Sequence, residues 1–279
     1  MKKKLIWLII ILIIIGIIFS LFNNNGIESQ DFRALELNVG DEFTYMEYDE
    51  PMYVLNYLME DVTGDNTKDM VIMIGEKNSV EDITARNIDV AIYEPTQKRF
   101  YNLKLKKYEG EMPRINISEL TGDNISDIVL TANDKNGNIH MRIVSIQDGE
   151  FKEIFKSKDN KGVIFIGNFI DGFKAYIKCS KYNKELKLDL SDRKENYVTN
   201  GFFDESGRIL KADIKIKSSG FTDIDFVQLD GYYGIQTTQR IIGFDTDDLL
   251  DEISVIWKFE NGKWMVKEAK GNNIGNLLY

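Results

Sequence analysis

Glu60-Asp61-Val62-Thr63-Gly64-Asp65-Asn66-Thr67-Lys68-Asp69-Met70-Val71-Ile72-Met73-Ile74 is the stretch on which the reading of this chain turns. It joins a nine-residue loop, Asp61 to Asp69, to a run of five apolar residues. An apolar strand without alternation is covered on both faces. Fifty-eight residues further on the arrangement returns as Glu119-Leu120-Thr121-Gly122-Asp123-Asn124-Ile125-Ser126-Asp127, followed by Ile128-Val129-Leu130. Both copies have an acid at position 1, Thr at 3, Gly at 4, Asp at 5, Asn at 6 and Asp at 9. A looser third copy runs from Gly243 to Ile253, with Asp245, Asp247 and Asp251 at positions 3, 5 and 9 and no acid at position 1. A fourth, Gly167 to Phe173, retains only Asp171 and its apolar flanks. Internal repetition of this kind is the mark of an array in which each unit buries what its neighbour exposes.

Around the loops the pattern is that of short strands. Ile88-Asp89-Val90-Ala91-Ile92, Leu103-Lys104-Leu105-Lys106, Leu186-Lys187-Leu188-Asp189-Leu190 and Ile214-Lys215-Ile216 alternate, as half-buried strands do. Asp148-Gly149 and Asn261-Gly262 are dipeptides that tolerate the positive φ angles of tight hairpins. No long 3.6-residue period occurs after Phe22. The expected unit is a small antiparallel sheet with a buried inner strand, and such sheets stacked face to face make a β-propeller.

The loop Asp61–Asp69 with its apolar strand resembles the FG-GAP or VCBS-type repeat of integrin-like β-propellers. That resemblance implies an all-β, propeller-like array of about four or five small sheets, and loops that bind Ca²⁺. Ca²⁺ takes six to eight oxygen ligands at ~2.3–2.6 Å. The implied donors are Asp61, Thr63, Asp65, Asp69 and the Thr67 carbonyl in the first loop. In the second they are Glu119, Thr121, Asp123, Asp127 and the Ile125 carbonyl, and in the third Asp245, Asp247 and Asp251. Thr at position 3 is a weaker donor than Asp, and Glu119 is one methylene longer than the usual Asp. The alternative is a loop whose Asp and Thr side chains cap its own N–H groups with no ion.

Composition narrows the function classes. The net charge is −10, with 35 basic and 45 acidic residues, one Cys and one His. Three of the lysines are Lys2, Lys3 and Lys4. The chain beyond Phe22 holds 32 basic against 45 acidic residues, a net of −13, a poor overall match to nucleic acid. The single Cys and His exclude a disulfide scaffold and a Cys/His zinc cluster. Cys179 shares a strand face with Ala175 and Ile177 and reads as a buried thiol. His140 alternates with apolar neighbours and points off their face. Tyr232, Tyr233, Trp257 and Trp264 read as packing in preference to a sugar-stacking platform. The abundance of Lys, Ile and Asn fits a bacterial, AT-rich coding sequence.

Residues 1–22 supply an expected address. Leu5–Phe22 is uncharged, and as a helix it would cover ~27 Å, near the ~30 Å hydrocarbon core. Lysines before it belong on the cytoplasmic side, and no small-x-small cleavage site comes after it. We therefore expect a signal-anchor helix at 1–22, a linker at 23–35 and an extracytoplasmic β domain at 36–279. The expected role is a single-pass, membrane-anchored binding module for a protein or glycan ligand of the cell envelope. The alternative is a polysaccharide lyase or hydrolase on the same scaffold, although no acid has an evident paired base in the sequence.

Overall fold

The computed structural model describes residues 37–276, apart from 80, 212 and 274. The expected anchor and linker lie outside the described residues, among which no helix is long and apolar enough to cross a membrane. Among the described residues the protein is all-β, with sixteen strands hydrogen-bonded into one large antiparallel sheet.

Two four-stranded meanders come first. One consists of β1 (Tyr53–Glu60), β2 (Asp69–Glu76), β3 (Thr84–Glu94) and β4 (Arg99–Leu103). The other consists of β5 (Gly110–Ser118), β6 (Asp127–Asn133), β7 (Ile139–Gln147) and β8 (Glu150–Phe155). The two good copies of the loop occupy the same place in each, between the first strand and the second. A narrow seam joins the meanders, Thr84 opposite Glu111 and Ala85 opposite Gly110.

The unbroken apolar runs are explained by what lies on either side. Val71 and Met73 of β2 share one core with Ile128, Leu130 and Ala132 of β6. The intervening Val129 belongs to a second core, with Met141, Ile143, Phe155 and the C-terminal sheet. The second meander is thus covered on both faces, so its inner strand cannot alternate. On the other face of the first meander Met70, Ile72 and Ile74 are also buried, and Phe43 and Tyr45 pack on Phe100 of β4 there.

The C-terminal sheet runs in the order β11 (Lys184–Asp189), β10 (Lys174–Cys179), β9 (Ile166–Ile170), β12 (Lys215–Gln228), β13 (Tyr233–Ile242), β14 (Leu249–Glu260), β15 (Lys263–Gly271) and β16 (Gly275–Asn276). β12 is fourteen residues long and carries irregularities on both sides of Phe221, where bulges bend a strand. It can therefore pair with β9 at Lys215–Lys217 and touch β7 at Phe221. The single α-helix among the described residues, α1 (Lys194–Thr199), puts Tyr197 among Phe169, Phe202, Phe203 and Phe244. Its hydroxyl donates to both oxygens of buried Asp248 at 2.9 and 2.8 Å.

Both hairpin dipeptides take positive φ, at Asp148 and Gly149 and at Asn261 and Gly262. Cys179 is buried beside Ala175 and Ile177, and burial pushes its thiol pKa up.

Candidate functional site

The two repeat loops share one set of bonds. At position 9, Asp69 Oδ2 accepts the N–H groups of Val62 and Thr63 at 3.0 and 3.1 Å. Asp127 Oδ2 accepts those of Leu120 and Thr121 at 2.8 and 3.1 Å. The acid at position 1 holds the N–H at position 4: Asp61 takes Gly64 at 2.7 Å and Glu119 takes Gly122 at 2.5 Å. The Asp at position 5 holds the N–H at position 7, Asp65 from Thr67 at 2.7 Å and Asp123 from Ile125 at 2.9 Å. Asp61 Oδ2 also takes Asn66 N–H, and Asp65 Oδ2 takes the Thr96 hydroxyl. Asn66 and Asn124 both lie in the left-handed region at φ 65°, as position 6 requires. The position-3 hydroxyls, Thr63 Oγ1 and Thr121 Oγ1, are buried inside the loops. Burial pushes the pKa of Asp69 and of Asp127 up to about 6, against the pull of the N–H groups they accept.

The carboxylates of both loops accept N–H groups of their own backbone, and among the described residues no three or more His, Cys, Asp or Glu are grouped to hold a metal ion.

Position 4 explains how the units interlock. Gly64 and Gly122 have φ of 81° and 82°, a conformation in which a side chain is strained. A Cβ on Gly64 would lie 2.7 Å from Ile125 Cδ1, at position 7 of the next loop. Above Gly122 sits Tyr232, from the turn between β12 and β13, and Tyr233 N–H donates to the Glu119 carbonyl at 2.9 Å. The loops and that turn therefore form a row along one end of the stacked strands.

The third and fourth sequence copies are not in that row. Gly243–Asp251 connects β13 to β14, and Gly167–Phe173 forms the β9–β10 hairpin, so alternation of strand direction puts both at the opposite end. Asp245 accepts the N–H groups of Asp247 and Asp248, whereas Asp251 takes those of Glu252 and Asn273. Asp171 receives Ile209 N–H. The acid–apolar pattern is shared with the first two loops, but the bonding is not.

That opposite end also holds the main concavities of the surface. One, of about 530 Å³, lies at the seam between the meanders and is lined by Arg86, Lys107, Glu109, Glu111, Lys135 and His140, among others. A second, of about 480 Å³, shares Asp134, His140 and Asn160 with it and continues past Lys161 to Lys217. A third, also about 480 Å³, shares Ile166 and Lys217 with the second and reaches Lys215, Tyr176 and Lys178. The three cavities adjoin through these shared lining residues, at the junction of the two meanders and the C-terminal strands, and are called the trough below.

Its walls are set by short polar links. Asn160 bonds both the N–H and the carbonyl of Met141, at 2.7 and 2.8 Å. Gln239 Oε1 accepts Val163 N–H at 2.8 Å, and its amide donates to the Ser219 carbonyl at 2.9 Å. His140 Nε2 is 3.6 Å from Asp134 Oδ2. Asp134 is otherwise occupied by Asn136 N–H and by the N–H and amide of Asn138, which hold its pKa below the usual carboxylate range despite burial. Arg142 pairs with Glu153 and lies over the Tyr108 ring. Among the described residues, Lys107, Lys135, Lys161 and Lys217 have no acidic partner within 4 Å.

Sequence reasoning placed the candidate site at the acidic loops and assigned no site role to His140 or to any other residue of the trough. The trough cations are scattered along the chain, and no spacing announces their meeting. Of the aromatics read as packing, Trp257 is buried with Nε1 donating to Thr237 and Trp264 packs on Phe155 and Phe259, whereas Tyr233 is exposed.

Fold and site together define an all-β protein of stacked antiparallel strands, with a row of self-capped loops at one end and a polar trough at the other. Residues 163–271 match the family model of the YybI C-terminal domain, a segment that begins just before β9 and ends with β15. No curated protein matches the chain. Among solved structures it is similar to an exotype rhamnogalacturonan lyase, YesX, at 13% identity and a TM-score of 0.31, over 80% of this chain and 34% of that one. The chain thus spans about a third of that protein's length, and so loose a likeness carries no argument about activity.

Proposed function

We propose that this chain is a membrane-anchored, extracytoplasmic binding module in which the meanders and C-terminal sheet form a propeller-like arc and the trough receives the ligand. The observation that carries the reading is the trough itself, whose lining includes Lys107, Lys135, Lys161 and Lys217 with no acidic partner within 4 Å among the described residues. Clefts with an excess of one sign of charge concentrate ligands of the other. The uncharged stretch Leu5–Phe22 behind three lysines supports the tether.

Calcium in the repeat loops is part of this reading. Asp61 and Asp65 accept N–H groups of their own loop, and an ionised carboxylate keeps further lone pairs with which to hold an ion. An enzyme is the second reading, favoured by the pairing of His140 with Asp134 inside the trough, a base–acid couple that the sequence did not disclose. The discriminating experiment is protease protection of a tag at Tyr279 in intact cells, followed by binding of envelope glycans to full-length protein in detergent. Digestion from outside with saturable binding is expected. A protected tag would end the extracytoplasmic reading, and breakdown of a bound glycan that stops in His140→Gln would replace the binding module with an enzyme.

A further inference from the structure

We propose that the lysine-rich half of the trough takes a single strand of an anionic envelope polymer, one whose repeating units carry carboxylate or phosphate. The proposal rests on the reading of the trough as the ligand face and names what lies in it. In the two cavities that make up this half, Lys161, Lys178, Lys215 and Lys217 face one lining carboxylate, Asp134. That carboxylate is already engaged by Asn136, Asn138 and His140. Lys178 pairs with Glu185 at 3.1 Å and Lys215 donates to Asn168 at 2.8 Å, both on the exposed face of the sheet. Such exposed links exchange readily for a stronger anion.

Apolar surface lies between these cations. Ile164 and Ile166 are 54% and 55% exposed, and Tyr176 lines the same groove. Charges that alternate with apolar patches suit a chain with anionic groups spaced by sugar or polyol carbons. The surroundings restrict the occupant further. With the chain at −10 overall, a duplex nucleic acid, with about one charge per 1.7 Å of its axis, would press phosphates against acidic surface. A thin single strand confined to the lysines does not.

The test is fluorescence anisotropy with full-length protein in detergent and four labelled probes: oligogalacturonate, oligo(glycerol phosphate), neutral dextran and duplex DNA. Titrations run between about 50 and 200 mM salt. We expect one or both anionic oligomers to bind, and their ranking to tell carboxylate from phosphate. The triple variant Lys161→Gln/Lys215→Gln/Lys217→Gln should weaken binding about tenfold or more and lower the salt slope by about three. Lys68→Gln/Lys98→Gln/Lys263→Gln, with the same charge removed elsewhere, should stay within about twofold of the parent protein. Equal loss in both triples would overturn the location. Tighter binding of duplex DNA than of either anionic oligomer would overturn the occupant. Dextran binding that Tyr176→Ala abolishes, with no binding of the anionic oligomers, would sink the polymer assignment while leaving the trough as the ligand face. Failure of all four probes would count against both.

Discussion

At one end of the strands the charges are used by the protein's own backbone; at the other they face solvent. Asp61, Asp65 and Asp69 hold N–H groups of their own loop, and Glu119, Asp123 and Asp127 repeat the pattern. Lys161 and Lys217 at the trough have no acidic partner among the described residues. Conspicuous acids in a repeated motif thus serve folding, and inconspicuous lysines without a motif are open to a ligand. An acid at a fixed distance from a turn finds a local donor before it finds a partner elsewhere.

The largest effect should come from breaking the self-capped end. Asp69→Ala leaves two N–H groups without acceptors, one of them in buried Val62, and should cost about 3 kcal/mol in chemical denaturation. A loss below about 0.5 kcal/mol, the size of an ordinary surface change, would show that the loop is held by something else. Gly64→Ala comes next, at about 2 kcal/mol, because it adds a clash with Ile125 to the left-handed strain. Gly122→Ala should cost only about 1 kcal/mol, since Tyr232 stands 3.7 Å away in ordinary contact. Equal losses at the two glycines would break the interlocking argument.

Comparable with the glycine losses is the effect of pH. Asp69 and Asp127 have folded pKa values of about 6, above the ordinary aspartate value of 3.8. Between those limits the folded protein binds more protons than the unfolded chain, so their contribution to stability falls as pH rises through 6. Tm should therefore gain on going from pH 7 to pH 5, relative to Asp69→Asn/Asp127→Asn, which removes both titrations. A parallel pair of profiles would sink the assignment. Calcium tests the loops directly. Tm should rise from chelator to millimolar Ca²⁺, since an ion that binds the folded state in preference stabilises it, and the rise should vanish in Asp65→Asn. Coinciding melting curves would remove the ion from the loops. At the trough end, the triple lysine-to-glutamine variant should melt within about 0.5 kcal/mol of the parent protein, even where its binding is lost.

The legible part of the fold was the first half. Met70–Ile74 and Ile128–Leu130 announced strands covered on both faces, and the neighbours Val129 and Leu130 do face two different cores. Asn66 and Asn124 announced left-handed turns and take them. After residue 160 single strands, the Asn261-Gly262 turn and the burial of Cys179 were legible, but the order of the units was not. The acid-rich loop Gly243–Asp251 mimics the repeat, yet the unit that stands next in the row contributes the short turn at Tyr232, which has none of the motif. A tight turn needs no nine-residue set of caps, so the sign that identified its neighbours is missing.

Sequence by itself determined the all-β class, the buried inner strands, the hairpin positions and the repeated loop, because each depends on contacts within a few residues. Tertiary structure alone decided which acids are spent on the backbone, where His140 meets Asp134, and that lysines from Lys161 to Lys217 share one trough. Those are matters of separation in space. The bulged strand β12 and the seam at Phe221 and Ile139 bring the sheets together there, and no local pattern records it.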